Sequence, residues 1–269
     1  MYFTDFEYGA ELLSDYDCMV CSFDGNGGAT TVSSGSDITF ETVGTPKNNR
    51  FTLINSKYEN PYTVTFQICK RNTAEQKYFT PEETSKIQRW LCRREFHKFK
   101  VMSGELNDCY FMATFSTKKI EINGQTAGLE LSMSTNAPFA YKEPDEITVT
   151  LTDTDKEVTI ADLSDETGTG YPYLTIKMLE AGDLSIANSM DNRITRLNGC
   201  QNGETIVLDG ENGIITSSIR TSSELGKNGV FNFYFPRIIN TYENNQNMYT
   251  FDRNCNVTLS YSPIKKIGL

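Results

Sequence analysis

Alternating apolar and polar positions recur along the whole chain, and they predict strands far more often than helices. In Thr63-Val64-Thr65-Phe66-Gln67-Ile68 the residues Val64, Phe66 and Ile68 share one face, the period-two signature of a half-buried strand. Arg50-Phe51-Thr52-Leu53-Ile54 predicts a second strand. Lys119-Ile120-Glu121-Ile122 runs into Asn123-Gly124, after which Leu129, Leu131 and Met133 alternate with polar residues. Asn-Gly between such segments predicts a hairpin, because both residues tolerate positive φ. A longer loop through residues 125–128 fits the same pattern.

One segment changes period. Thr80 is a natural N-cap, Pro81 occupies the first helical position, and Glu83 completes a capping box. Ile87, Trp90 and Leu91 then fall at i, i+3 and i+4, defining an apolar face. The pattern predicts a helix over about residues 81–96.

Pro138 and Pro144 interrupt regular pairing and mark a boundary. Beyond it the chain reads as a meander of short strands with turn residues every eight to twelve positions: 147–151, 158–160, 174–178, 184–186, 205–208, 214–215 and 257–261, with Phe231, Phe233 and Phe235 alternating as well. Gly168-Thr169-Gly170 reads as a loop. This is the pattern of a β-sandwich. The expected organisation is mainly β, with a β-domain over residues 1–141 that holds one α-helix and a β-sandwich over 142–269.

Composition agrees, since aromatic residues make up 12% of the 269 positions and suit pleated surfaces. The net charge of −10 speaks against a general nucleic-acid binder, which needs a basic footprint. The charge is uneven: residues 1–141 carry a net −3 and residues 142–269 a net −7. The first residues lack a basic start and an apolar run, and no stretch of 18 apolar residues occurs, so synthesis in a cytosol and no membrane span are expected. The seven cysteines are then expected to stay reduced and to behave mostly as small buried hydrophobes.

Candidate chemistry is sparse. The single histidine, His97, follows the basic helix and has no nucleophile elbow to serve; a helix-end cation is the simpler account. Cys18-Met19-Val20-Cys21 is half of a zinc motif, in an alternating segment rather than at a helix start. Asp153-Thr154-Asp155 lacks the glycine and distal glutamate of a calcium loop. Gly25-Asn26-Gly27-Gly28 leads into no helix carrying a phosphate-binding lysine. No catalytic residue, metal or cofactor is expected. One charge feature remains: residues 86–100 hold six lysines and arginines against Glu95. Lys86, Arg89, Arg93 and Arg94 are therefore candidates for contact with an acidic partner or a neighbouring subunit, against the plainer account of a solvated helix face.

The order of these features resembles the distal tail protein family of long-tailed, non-contractile phages of Gram-positive hosts. The resemblance rests on Tyr8-Gly9, Asp15-Tyr16-Asp17, the strands within Arg50–Lys70, the helix ending Ile87-Gln88-Arg89-Trp90-Leu91, the hairpin at Asn123-Gly124, Ala137-Pro138-Phe139-Ala140, Gly182–Asn188 and Gly203–Asp209. It implies a sandwich- or barrel-like N-terminal domain that forms a hexamer or double hexamer, and a C-terminal sandwich of galectin-like or carbohydrate-module type. It further implies a baseplate hub at the virion tail tip, made in the host cytoplasm, between the tail tube protein and the tail-associated fibre protein, carrying receptor-binding proteins and taking part in host attachment. Unpaired edges of the N-terminal sheet are expected to pair across subunits. The alternative is a carbohydrate-binding host-recognition protein in which Tyr171, Tyr173, Tyr234, Tyr242 and Tyr249 stack on sugar rings, although tyrosines more often pack within or between sheets.

Overall fold

The computed structural model describes residues 3–23, 38–45, 50–71, 78–104, 106–241 and 243–267. The fold is mainly β and divides into two compact units, residues 1–142 joined by 265–269, and residues 143–264. The last residues of the chain thus return to the first unit instead of ending the second.

The first unit contains β1 (Phe6–Tyr8), β2 (Glu11–Leu12), β3 (Cys18–Cys21), β4 (Ile38–Thr45), β5 (Arg50–Tyr58), β6 (Thr63–Lys70), helix α1 (Pro81–Leu91), β7 (His97–Val101), β8 (Cys109–Ile122), β9 (Gln125–Thr135) and β10 (Ala140–Lys142). Its main sheet has the order β2-β1-β7-β8-β9-β6-β3, with β10 on β8. The β8–β9 turn is the tight one: Asn123 and Gly124 have φ of 52° and 76°, and Ile122 pairs with Gln125. Val64, Phe66 and Ile68 of β6 all meet the core.

That core is aromatic and centres on α1. The capping box forms as expected, with Glu83 N–H donating to Thr80 Oγ1 (3.2 Å) and Thr80 N–H to Glu83 Oε2 (2.8 Å). Ile87, Trp90 and Leu91 are buried. The Trp90 indole stacks on Tyr16 (4.4 Å) and Phe6 (5.7 Å), and its Nε1–H donates to Tyr8 O (2.9 Å).

The helix ends at Leu91, five residues earlier than its pattern predicts. Cys92 leaves the helical region (φ −85°, ψ 69°), and its N–H makes the last bond, to Gln88 O. The cause lies downstream. Residues 97–101 enter the sheet between β1 and β8, with Phe99 and Val101 pointing inwards. A ladder on both sides outweighs local helical preference. His97 therefore opens a strand rather than capping a helix, and lies edge-on to the Tyr8 ring at 5.8 Å.

The second unit contains β11 (Asp145–Leu151), β12 (Glu157–Ala161), β13 (Gly168–Gly170), β14 (Tyr173–Met178), β15 (Gly182–Asn188), β16 (Ile194–Cys200), β17 (Thr205–Asp209), β18 (Ile214–Ser217), a one-turn helix α2 (Ser222–Leu225), β19 (Ile238–Asn240), β20 (Gln246–Phe251) and β21 (Cys255–Tyr261). A final strand, β22 (Ile264–Lys265), pairs with β10. Two sheets, β11-β21-β14-β17-β18 and β12-β20-β15-β16, close over one apolar core and make the sandwich. Two local expectations fail. Gly168–Gly170 is a strand, paired with β19. Phe231–Phe235 is not: only Phe231 bridges to β16, and Phe233 turns into the left-handed region with φ 56°. The side chain of Asn232 takes over the ladder there, accepting from Arg196 N–H (3.0 Å) and donating to Ile194 O (2.7 Å).

One ion pair is sealed inside the second unit. Glu204 is fully buried and accepts from Ser217 Oγ (2.5 Å), Arg220 Nε (2.7 Å) and Gln201 N–H (2.9 Å). Burial alone would raise its pKa, but the donors from Ser217, Gln201 and Arg220 prevail and hold it below the ordinary glutamate value.

Two outcomes follow for stability. Trp90→Ala should destabilise the first unit by roughly 3–5 kcal/mol in chemical denaturation, through the cavity and the lost indole bond. Arg220→Met should cost about 3–5 kcal/mol at neutral pH by stranding a buried carboxylate. Because the folded pKa of Glu204 lies below its unfolded value, its stabilisation is complete above that unfolded value and vanishes as pH falls through the folded one. The gap between parent and Arg220→Met melting curves should accordingly narrow on acidification.

Candidate interaction surfaces

The basic run of the first unit does not form one face. The Lys86 ammonium sits 4.8 Å from the Tyr16 ring. Arg93 is tied into its own unit: Nε donates to Trp90 O (2.8 Å), the guanidinium lies over the Tyr8 ring (5.5 Å), and Nη2 approaches Glu11 (3.7 Å). It also packs against Gly9, where the φ of +59° would strain any other residue and a Cβ would press on the Arg93 guanidinium at 3.1 Å. Arg89 and Arg94 are exposed and make no ion pair among the described residues. Early helix termination causes this split, because it places Arg93 and Arg94 in a turn instead of continuing the helical stripe.

The sheet edges are blunted. At one end β2 is two residues long, and at the other β3 is covered in part, with Val20 N–H donating to Thr4 O (3.3 Å). Among the described residues, neither end of this sheet path offers a long open ladder.

A cluster of exposed apolar residues lies where the sequence shows only an ordinary strand. Among the described residues, β4 and β5 pair with each other and with no other strand. Phe51 is 75% exposed, Ile54 65% and Phe40 61%, with Leu53, Val43 and Ile38 also exposed. From the pairing register, Ile38, Phe40, Leu53 and Phe51 share one face, while Val43 lies on the other and Ile54 is the extra residue of the bulge beside Glu41 and Thr42. Alternation signals a strand but not what covers its faces. The missed clue is that β5 carries large apolar residues on both faces.

The four described tyrosines among the candidates, Tyr171, Tyr173, Tyr234 and Tyr249, do not form a platform. Tyr249 is fully buried, and its hydroxyl donates to Arg237 O (2.8 Å), so it is a core residue. Tyr171 rests on Gly210, where a Cβ would come within 2.6 Å of the ring. Tyr173 is exposed on the five-stranded sheet, whereas Tyr234 is exposed beside β16 of the other sheet, 5.2 Å from the Arg193 guanidinium. Tyr242 lies outside the described residues.

Among the described residues, no group of three or more His, Cys, Asp or Glu side chains is placed to hold a metal ion, and no helix is long and apolar enough to cross a membrane. Cys18, Cys109, Cys200 and Cys255 are buried, and burial pushes the Cys18 thiol up to about 12.

Comparison with known proteins places this architecture. Residues 1–137 match the family model described as phage tail protein N-terminal domain, and residues 139–261 match the one described as phage tail C-terminal domain. No curated protein matches. Among solved structures, the Dit protein (gp 19.1) of phage SPP1, described as a paradigm of the hub adsorption apparatus in Gram-positive infecting phages, has a similar fold. The TM-score is 0.65 at 8% identity, over 97% of this chain and 99% of that one. A two-unit β architecture, matched over nearly its whole length by paired tail-domain models and sharing the distal tail protein fold, identifies the chain as a member of the phage tail protein family.

Proposed function

We propose that the chain is a structural ring subunit of the tail tip, a baseplate hub that assembles as a hexamer or double hexamer at the distal end of the tail tube. It links the tube protein to the tail-associated fibre protein and carries host-recognition components, and its chemistry is assembly rather than catalysis.

The observation that carries this reading is the β4–β5 hairpin. A two-stranded hairpin is marginal in water by itself, and a contiguous apolar patch on a folded chain marks a contact surface. Covering Ile38, Phe40, Leu53 and Phe51 with a neighbouring copy removes both penalties. A head-to-tail ring needs two different complementary patches on each subunit, and the hairpin with its receiving surface is such a pair. Arg89 and Arg94 add uncompensated charge toward an acidic neighbour. The blunted sheet edges support the same division of labour, since they leave the hairpin as the principal adhesive element among the described residues.

The test is mutational and separates assembly from folding. Ile54→Ser with Phe51→Ser should abolish rings in native mass spectrometry while changing stability by no more than about 0.5 kcal/mol, because these side chains are exposed in the subunit. Rings of unchanged mass would contradict the assignment. Arg89→Glu with Arg94→Glu should weaken assembly without loss of folding. Arg93→Glu should lower the melting temperature, since it breaks contacts with Trp90, Tyr8 and Glu11 within the unit.

A further inference from the structure

The second unit has an unusual feature at one edge of its four-stranded sheet. Phe233 is a bulky residue held at φ 56°, a conformation that side chains of its kind rarely adopt. The turn that strains it also turns its ring outward: Phe233 is 57% and Tyr234 47% exposed, and Ile194 beside them is exposed too. Strain of this kind persists where surrounding structure enforces it, here the two hydrogen bonds of Asn232 to β16.

The same place holds surplus positive charge. The Asp191 carboxylate is engaged by Arg237 Nε at 2.6 Å, which leaves Arg193 Nε 3.8 Å away, without a hydrogen bond, and its guanidinium over the Tyr234 ring. Arg196, on the outward face of β16, is exposed and forms no ion pair among the described residues. The unit as a whole is strongly acidic. Between residues 143 and 264 there are eight lysines and arginines against 18 aspartates and glutamates, and three of the eight are Arg193, Arg196 and Arg237.

The opposite edge is its complement. The sheet order β12-β20-β15-β16 places β12 at the far side. There, the segment after β12 and the loop before β20 form a cleft of about 320 Å³ lined by Asp162, Asp165, Glu166 and Glu243 with Asn240 and Asn244. Asn247 braces this loop from inside the core, accepting from Asn188 Nδ2 (2.9 Å) and Ile239 N–H (2.8 Å).

We infer that the second units also dock head-to-tail, the Phe233–Tyr234–Arg193 knob of one copy seating against the acidic cleft of the next. Units of such high negative charge repel one another, so contact between copies is favoured at a region such as this one, where Arg193 and Arg237 flank Asp191 and Arg196 stands exposed on β16. Two unlike patches at opposite edges of a sheet are what a heterologous, ring-closing contact needs. Aromatic rings next to arginine are also the composition of interface anchors. This inference rests on the ring reading and adds a second contact to it.

The test uses the full chain in sedimentation velocity and native mass spectrometry across a dilution series. Arg196→Glu, Glu166→Lys and Phe233→Gly should each weaken self-association by roughly tenfold or more. Phe233→Gly should keep its melting temperature, because glycine accepts the positive φ. Arg196→Glu combined with Glu166→Lys in one chain should recover association towards the parent. Parent-like assembly in all three single variants, or a double variant no stronger than the singles, overturns the docking and leaves the ring reading intact. A parent chain that stays monomeric overturns both.

Discussion

The first unit depends on the burial of one indole. Trp90 is where α1 meets the sheet: it stacks on Phe6 from β1 and Tyr16 from the turn before β3, and it bonds the backbone of Tyr8. Those contacts join the start of the chain to a helix more than 70 positions later. Once α1 is fixed there, its end is fixed as well, because the chain must turn after Leu91 to deliver Phe99 and Val101 to the core between β1 and β8. The charges that follow are then divided. Arg93 is folded back on Trp90 and Tyr8, while Arg89 and Arg94 remain outside.

Much of this was legible residue by residue. Thr80, Pro81 and Glu83 announce the helix start because capping is local chemistry, and Asn123-Gly124 announces the hairpin because both residues accept positive φ. The misreadings share another cause. Residues 92–96 continue a plausible helix, and only the ladder made by 97–101 cuts it short. Phe231, Phe233 and Phe235 alternate as a strand would, but Asn232 bonds β16 through its side chain and turns Phe233 outward. Tyr249 was indistinguishable from an exposed tyrosine until the two sheets enclosed it.

The candidate site was less legible than the fold. Basic residues near the helix were visible, but which of them are spent inside the subunit depends on the sheet. The exposure of the β4–β5 hairpin is not legible in a sequence that reads as a good strand; it follows from the absence, among the described residues, of other strands against it. For the proposed tail-tip role, what matters is which apolar surfaces folding leaves uncovered.

Two kinds of unfinished surface therefore define the subunit: apolar faces on the hairpin, and surplus cations on an otherwise acidic chain. Both are costly for a solitary molecule, and the proposed assembly relieves them with copies of the same chain. The most direct measurement is the mass and shape of the full-length chain in solution, by native mass spectrometry with electron microscopy of the same sample. The account predicts a particle of six or twelve copies of the 30.3 kDa chain around a central opening. A chain that remains monomeric across micromolar concentrations would contradict it.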